Sequence, residues 1–131
     1  MKQNVNNRPL MVSLCDFTGK MVAPWLEHGI DAVIVDPQHA ETRDELMQSG
    51  AVLTRISAII DSDEVYAFLR NNLQRIVFLA GFPPCTDLAV SGARWFAHKA
   101  DKDPFFQFKA MQVVWQCYDI AKMIGCPYMI E

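Results

Sequence analysis

The sequence predicts an α/β fold in which a parallel sheet carries helices on both faces. Short apolar runs rich in β-branched residues alternate with segments of helical periodicity, an order typical of βαβ units. Glycine and proline mark the turns between these segments. The hydrophobic fraction of 51% in 131 residues is enough for one sizeable core, so we expect a single domain.

Two strands with a helix between them open the chain. Residues 10–15 form an apolar run with the length of a buried strand, and residues 32–35 form a second one. The intervening helix is expected over residues 21–28, because Pro24 suits a first helical turn and Gly29 can end the helix.

An acidic residue, Asp36, follows the second strand about 20 positions after the first turn. In nucleotide-binding doubly wound sheets, an acid at this position commonly accepts hydrogen bonds from ribose hydroxyls. Asp36 also precedes Pro37, and this pair is equally typical of a turn that binds no ligand. Spacing alone gives the two interpretations equal weight.

The middle of the chain predicts a third strand and a second helix. Residues 41–50 are polar and predict one helical turn at most, whereas residues 51–60 predict a strand that ends at Asp61. A helix follows over residues 63–72, and either Ser62 or Asp61 can cap its first turn. This structural role makes a ligand role for Asp61 the minority interpretation.

The fourth predicted strand, residues 75–80, leads into a stiff turn that carries a cysteine. Pro83 and Pro84 withhold two backbone donors, so the strand cannot continue and Cys85 lies just past its carboxyl end. Ligands bind at this edge of open α/β sheets. Cys85 is therefore a candidate nucleophile, although most free cysteines are inert, buried residues.

A long helix is predicted over residues 105–124, opened by Pro104 and ended by Gly125, with a fifth strand at residues 127–130. The helix is apolar around most of its circumference, so we expect it to be buried on more than one side. Its polar residues form one narrow stripe, made of Lys109, Gln112, Gln116 and Asp119.

Composition narrows the class of protein. The net charge of −3 gives the chain as a whole no electrostatic footprint for nucleic acid, and the small basic cluster after Cys85 is typical of a solvated loop. No apolar run is long enough to span a bilayer, and the polar residues 1–9, expected to form a flexible tail, lack the apolar middle of a signal peptide. We therefore expect a cytoplasmic protein.

The cysteine and histidine spacings indicate neither a metal site nor a disulfide framework.

Three blocks at predicted strand ends resemble motifs of the DNA (cytosine-5) methyltransferases, in particular divergent members found in phages. The family's Phe-x-Gly-x-Gly is matched by Phe17 and Gly19, while Met21 stands at the second glycine. Its Pro-Cys-Gln-x-Phe-Ser-x-Ala-Gly is matched in part by PCTDLAVSG at residues 84–92, and its proline before Glu-Asn-Val by PYMIE at residues 127–131. Together the blocks span nearly all of the chain after the tail.

The resemblance implies a Rossmann-like, doubly wound parallel sheet of the class I S-adenosylmethionine-dependent type. It implies that Cys85 forms a transient bond to carbon 6 of a flipped cytosine and that Glu131 supplies a carboxyl group at the ring nitrogen. S-adenosylmethionine is the implied cofactor and DNA the implied partner. The residues implied to bind the cofactor are Phe17, Gly19, Asp36, Asp61 and Pro84.

A full member of this family continues past the glutamate block with further strands and a target-recognition domain. We therefore expect residues 1–131 to form one truncated catalytic domain, incomplete after the fifth strand and weakly active at best by itself. The unfinished strand and the apolar helix predict self-association or pairing with a second chain. Two alternatives stay open, which are a non-catalytic nucleotide- or protein-binding module with this fold and a structural fragment without a ligand.

Overall fold

The computed structural model describes residues 7–85 and 87–131 and has an α/β architecture. Its strands are β1 (Leu10–Leu14), β2 (Asp31–Val35), β3 (Arg43–Leu46), β4 (Val52–Ile56), β5 (Ile76–Gly81) and β6 (Tyr128–Ile130). Its helices are α1 (Ala23–Glu27), α2 (Asp63–Asn72), α3 (Phe96–Lys102) and α4 (Phe106–Ile124).

The strands form one mixed sheet in the order β3-β4-β2-β1-β5-β6. All neighbouring strands are parallel except β3 and β4. The five parallel strands cross the sheet as β4-β2-β1-β5-β6, an order compatible with a Rossmann-like, doubly wound fold. The predicted parallel sheet is thus confirmed for these strands, and the strand order reverses between β1 and β5.

Two apolar clusters on opposite faces of the sheet form the core. Neighbouring residues of β1 point to opposite faces, so Val12 joins one cluster and Met11 the other. The first cluster packs Leu69 of α2 and Ile120 of α4 against the sheet, and the second packs Leu26 of α1. Helices therefore cover both faces, as the sequence predicts.

One predicted element is wrong. Residues 41–50 do not hold a helical turn, because β3 lies within them and runs antiparallel to β4. Side chains across the two strands pair closely: Thr54 Oγ1 donates to Asp44 Oδ1 over 2.7 Å, and Arg55 lies 2.6 Å from Glu45. These partners stabilise charged residues on an edge strand, and local periodicity does not reveal them. Charges on such a strand also oppose pairing with other chains.

Smaller differences affect the other predicted boundaries. β4 ends at Ile56, so Asp61 comes five residues after the strand rather than at its end. Ser62 caps α2, because its Oγ accepts the Val65 N–H over 3.3 Å. α3 lies in the basic cluster after Cys85, which the sequence predicts to be a solvated loop. The long helix is confirmed as α4 and ends at Gly125, whose φ of +78° suits glycine.

The end of the predicted tail is anchored to the sheet. Arg8 donates to the Gly50 carbonyl over 2.6 Å and to the Gly29 carbonyl over 2.9 Å. It also lies 3.4 Å from the buried carboxylate of Asp31. Residues 1–6, the rest of the predicted tail, lie outside the described residues.

Candidate functional site

A cleft opens at the carboxyl ends of β1 and β5, where the strand order reverses. This is the place at which open α/β sheets bind ligands. The cleft has a volume of about 510 Å³, which lies within the usual range for small-molecule sites. It is lined by Cys15, Asp16, Phe17, Thr18, Lys20, Met21 and Phe82.

The turn after β1 is held in shape by Asp16. Its buried carboxylate accepts the Gly19 N–H over 2.8 Å through Oδ1 and the Ser13 hydroxyl over 2.7 Å through Oδ2. Two residues of this turn have left-handed backbone, Cys15 with a φ of 57° and Gly19 with a φ of 73°. Glycine adopts this conformation without steric cost, whereas Cys15 needs the surrounding contacts to hold it there. Gly19 is thus a conformational requirement of the turn.

His39 joins three strand ends at the border of the cleft. Its buried ring donates from Nε2 to the Asp16 carbonyl over 3.0 Å, since a carbonyl can only accept. Its backbone N–H donates to the Asp36 carbonyl over 3.3 Å, and its carbonyl accepts the Ser57 hydroxyl over 2.6 Å. These bonds connect the segments that follow β1, β2 and β4.

The ring of Phe17 forms an apolar wall of the cleft. Its centroid lies 5.5 Å from that of His39, with 32° between the ring planes. Because His39 is fixed by hydrogen bonds on both sides, it supports one face of Phe17. The Phe17 side chain is 52% exposed, so its remaining surface is free to stack on a planar ligand.

Asp36 is buried beside the cleft and begins a tight turn. Its Oδ1 accepts the Gln38 N–H over 2.7 Å, and its own N–H donates to the Ile56 carbonyl over 3.1 Å. Its charge also adds to the effects that raise the pKa of Cys15, which places the carboxylate near a residue of the cleft lining. Oδ1 of Asp36 therefore accepts a hydrogen bond within the turn, as the turn interpretation expects. A ribose hydroxyl would have to bind to Oδ2.

Asp61 lies away from the cleft lining. Its carboxylate accepts a hydrogen bond from Gln116 Nε2 over 3.1 Å, which ties the start of α2 to α4. Of the five residues implied to bind the cofactor, Phe17 lines the cleft, whereas Gly19, Asp36, Asp61 and Pro84 do not belong to its lining.

The end of β5 carries Cys85 and contacts both the cleft and β6. Phe82, which lines the cleft, donates its N–H to the Leu14 carbonyl over 3.0 Å. Glu131 donates its N–H to the Gly81 carbonyl over 3.0 Å, so the glutamate is anchored at the same strand end. The carbonyl of Cys85 accepts the N–H groups of two following residues, which closes the turn beyond it. Pro84 and Cys85 are both exposed, and Thr86 lies outside the described residues.

Exposure distinguishes Cys85 from the other three cysteines, all of which the structure describes as free thiols. Cys117 is buried, and Cys15 and Cys126 are partly buried. A hydrogen bond to the Cys117 thiol, together with burial, raises the pKa of Cys15 well above its usual range. Burial also raises the pKa of Cys126. Cys15 and Cys126 therefore stay protonated at neutral pH, and a protonated thiol is a poor nucleophile.

The basic cluster after Cys85 is partly neutralised. Lys99 pairs with Asp87, and the Asp87 carbonyl accepts a hydrogen bond from Gln107 Nε2 over 3.1 Å. These contacts attach the segment after Cys85 to α3 and α4. The Arg94 guanidinium lies 4.9 Å from the centre of the Trp95 ring.

Residues 7–85 and 87–131 contain neither a metal-binding cluster nor a helix that could span a membrane. No group of three or more histidine, cysteine or acidic side chains is placed to hold a metal ion. Over the same residues, no helix combines the length and apolar character that crossing a bilayer requires.

Sequence reasoning missed Asp16 and His39, the two residues that fix the cleft. Asp16 could have been found, because an aspartate three residues before a glycine is typical of a side chain that closes a turn. No local signal marks His39, since its ring contacts a residue 23 positions away.

Comparisons with protein-family models, with curated protein sequences and with solved structures give no match to this chain. The fold and the site define an α/β protein with a cleft at the strand-order reversal and an exposed cysteine three residues after Phe82 of the cleft lining.

Proposed function

We propose that this protein is a DNA (cytosine-5) methyltransferase-like protein that binds S-adenosylmethionine in the cleft and uses Cys85 as its nucleophile. The observation that carries the proposal is the meeting of three features at one edge of the sheet. These are the cleft bordered by Phe17 and Phe82, the exposed Cys85, and Glu131 anchored to the same strand end as Cys85.

The cleft residues fit S-adenosylmethionine in shape and charge. Phe17 offers an exposed ring for the adenine, and Gly19 keeps the turn compact: a Cβ there would come within 3.4 Å of Ile34. The carboxylates of Asp16 in the lining and of Asp36 near Cys15 outnumber the ammonium of Lys20, which also lines the cleft, so the net charge favours a ligand that carries a positive sulfonium. Phe17, Gly19, Asp36 and Pro84 are the residues that would hold the cofactor. When bound, it supplies an activated methyl group.

The proposed chemistry assigns separate roles to Cys85 and Glu131. Carbon 5 of cytosine is a weak nucleophile until a thiolate of Cys85 adds to carbon 6, which opens the carbon 5–carbon 6 double bond and moves its electron pair to carbon 5. After carbon 5 has taken the methyl group, loss of its proton to solvent would restore the double bond and expel the thiolate. Glu131 hydrogen-bonds or protonates the ring nitrogen and so stabilises the charge that develops on the ring. Both groups act on a base that has left the duplex.

Calorimetric titration of S-adenosylmethionine tests the cofactor half of the proposal. We expect saturable binding that Asp36→Ala weakens. Asp101→Ala is the matched control, because it removes an exposed carboxylate on α3, away from the cleft lining. Absence of binding by the unmodified chain would contradict a cofactor site in this cleft.

Methylation of DNA by the unmodified chain and by Cys85→Ser tests the catalytic half. We expect the substitution to abolish methyl transfer and to leave binding of S-adenosylmethionine unchanged. Methyl transfer that survives Cys85→Ser would contradict the assignment of the nucleophile.

A non-catalytic nucleotide-binding module is the second candidate function, and Met21 favours it. Met21 lines the cleft at the position of the glycine that the methyltransferase motif carries, so its side chain occupies space next to the ligand. This alternative predicts that Cys85→Ser leaves binding unchanged, because binding does not involve the thiol.

A further inference from the structure

Two cysteines meet between the cleft and the core. Cys15 follows β1 and lines the cleft, whereas Cys117 is a buried residue of α4 that packs on the sheet. Both are free thiols. The Cys15 thiol donates a hydrogen bond to the Cys117 sulfur. A residue of the cleft wall is therefore in direct contact with the long helix on one face of the sheet.

The adjacent strand ends fix the position of the Cys117 sulfur. Gly81 of β5 pairs with Leu14, which is the residue before Cys15. Gly81 has no side chain, so Cys117 packs directly on it, and a Cβ added there would lie 3.1 Å from the Cys117 Sγ. The sulfur therefore lies over the strand end next to which Cys15 leaves the sheet. Cys15 packs against the same apolar cluster that contains Cys117.

This arrangement meets the geometric requirement of a disulfide. Two cysteines can be joined without backbone movement only where their side chains are close and point toward each other. The hydrogen bond between the thiols of Cys15 and Cys117 requires the same orientation. The two sulfurs are therefore already opposed in the reduced, folded chain.

Burial and hydrogen bonding give the two sulfurs different roles. Cys15 is partly exposed in a cleft of about 510 Å³, so a small reagent can reach it, whereas Cys117 is shielded from solvent. The hydrogen bond from Cys15 stabilises a thiolate at Cys117 and so lowers the pKa of Cys117. Because Cys15 is protonated at neutral pH, it reacts with a reagent more slowly than the exposed Cys85 does.

We propose that Cys15 and Cys117 form an oxidisable thiol pair, which a small-molecule disulfide converts into an internal disulfide between the cleft turn and α4. In the first step the Cys15 sulfur bonds to one reagent sulfur, the reagent's S–S bond breaks, and the departing thiolate takes the Cys15 proton. In the second step the Cys117 sulfur bonds to the Cys15 sulfur, and the remaining reagent thiolate leaves and takes the Cys117 proton. Both cysteine sulfurs are oxidised, and the reagent is reduced to two thiols. This inference does not depend on the proposed enzymatic function.

Peptide mapping of the oxidised chain tests the thiol pair. The folded chain is equilibrated with hydroxyethyl disulfide, its remaining thiols are blocked with N-ethylmaleimide, and it is digested with trypsin. Cleavage after Lys20, Arg94 and Lys122 places the four cysteines in four different peptides. We expect the peptides of Cys15 and Cys117 to be linked, with the loss of two hydrogen atoms. Dithiothreitol should separate them again.

Thermal unfolding of the oxidised chain gives a second readout. The disulfide closes a loop of about 100 residues and should raise Tm by about 10 °C. Cys15→Ser and Cys117→Ala should each abolish the linkage and the rise in Tm. Cys126→Ser and Cys85→Ser are the matched controls and should keep both. Circular dichroism confirms that each variant is folded.

The chain unfolded in urea shows whether the folded structure selects this pair. In urea we expect a mixture of linkages among the four cysteines, because no contact then favours one pair. A folded chain that stays reduced, a linkage through another cysteine in place of this pair, the same mixture of linkages in the folded chain as in urea, or no rise in Tm on oxidation would overturn the proposal.

Discussion

At the scale of single residues, Met21 separates this cleft from the glycine-rich turn of the methyltransferase motif. We predict that Met21→Gly strengthens binding of S-adenosylmethionine about fivefold, or about 1 kcal/mol, because a ligand can then approach the backbone. Met21→Leu keeps the side-chain volume and should leave the affinity unchanged. Calorimetry measures both variants, and weaker binding by a folded Met21→Gly would contradict a ligand site at this wall.

Reaction with a thiol reagent at neutral pH tests the assignment of Cys85 as the accessible nucleophile. We predict one fast-reacting thiol, because Cys85 is exposed while Cys15 and Cys126 have a raised pKa and Cys117 is buried. Cys85→Ser should remove the fast phase, and Cys126→Ser should keep it. A fast phase that persists in Cys85→Ser would show that another thiol is the reactive one.

The candidate site was partly predictable at this scale. Cys85 and Gly19 follow from local rules, since paired prolines end a strand and a glycine permits a left-handed turn. The supports of the turn, Asp16 and His39, depend on contacts between the ends of different strands. One sequence read locally cannot show such contacts, because they form only when the strands are ordered in the sheet.

At the scale of elements, a buried charge joins β2 to β4 and to the segment that precedes β5. Asp31, whose side chain is 2% exposed, lies 3.0 Å from Arg75 and accepts the Val52 N–H over 2.9 Å. We predict that Asp31→Ala lowers the free energy of unfolding by about 3–5 kcal/mol, because it leaves the largely buried guanidinium of Arg75 without its carboxylate. Urea unfolding measures the change.

Two further variants show whether the loss of stability in Asp31→Ala comes from the buried ion pair. Asp44→Ala removes an exposed carboxylate from β3 and should cost less than about 1 kcal/mol. Asp31→Asn keeps an acceptor for the Val52 N–H, so it should lose less stability than Asp31→Ala while still folding. Equal effects of Asp31→Ala and Asp44→Ala would contradict a structural role for the buried ion pair.

Elements with a strong periodic pattern were predictable, and elements that depend on partners were not. The five parallel strands and α4 are long or strongly apolar, so their patterns identify them. Three of the four residues of β3 are charged, and Thr54 and Arg55 on the adjacent strand stabilise two of them, Asp44 and Glu45. The sequence pattern of β3 alone therefore resembles that of a polar turn.

At the scale of the whole molecule, the order of the strands brings residues that are far apart in the sequence together in one site. β1 and β5 are neighbours although more than 60 residues separate them along the chain, and this pairing brings Phe82 to the turn after β1. Alternation of strands and helices predicts that strand ends share one edge, but it does not specify which ends are adjacent. The cleft itself could therefore not be predicted from the sequence, although the edge of the sheet at which it lies was predicted.

A thermal-unfolding measurement tests whether a ligand bound in this cleft stabilises the whole fold. A ligand at about 100 times its dissociation constant adds about 2.7 kcal/mol to the free energy of unfolding, which for a domain of this size raises Tm by about 10 °C. We predict such a shift with S-adenosylmethionine and a much smaller one with ATP at the same concentration. The two ligands share adenosine, but the triphosphate meets the carboxylates of Asp16 and Asp36 with like charge, and Lys20 in the cleft lining offsets only one of them. Equal shifts would indicate a general nucleotide-binding module, and no shift with either ligand would contradict a nucleoside site in the cleft.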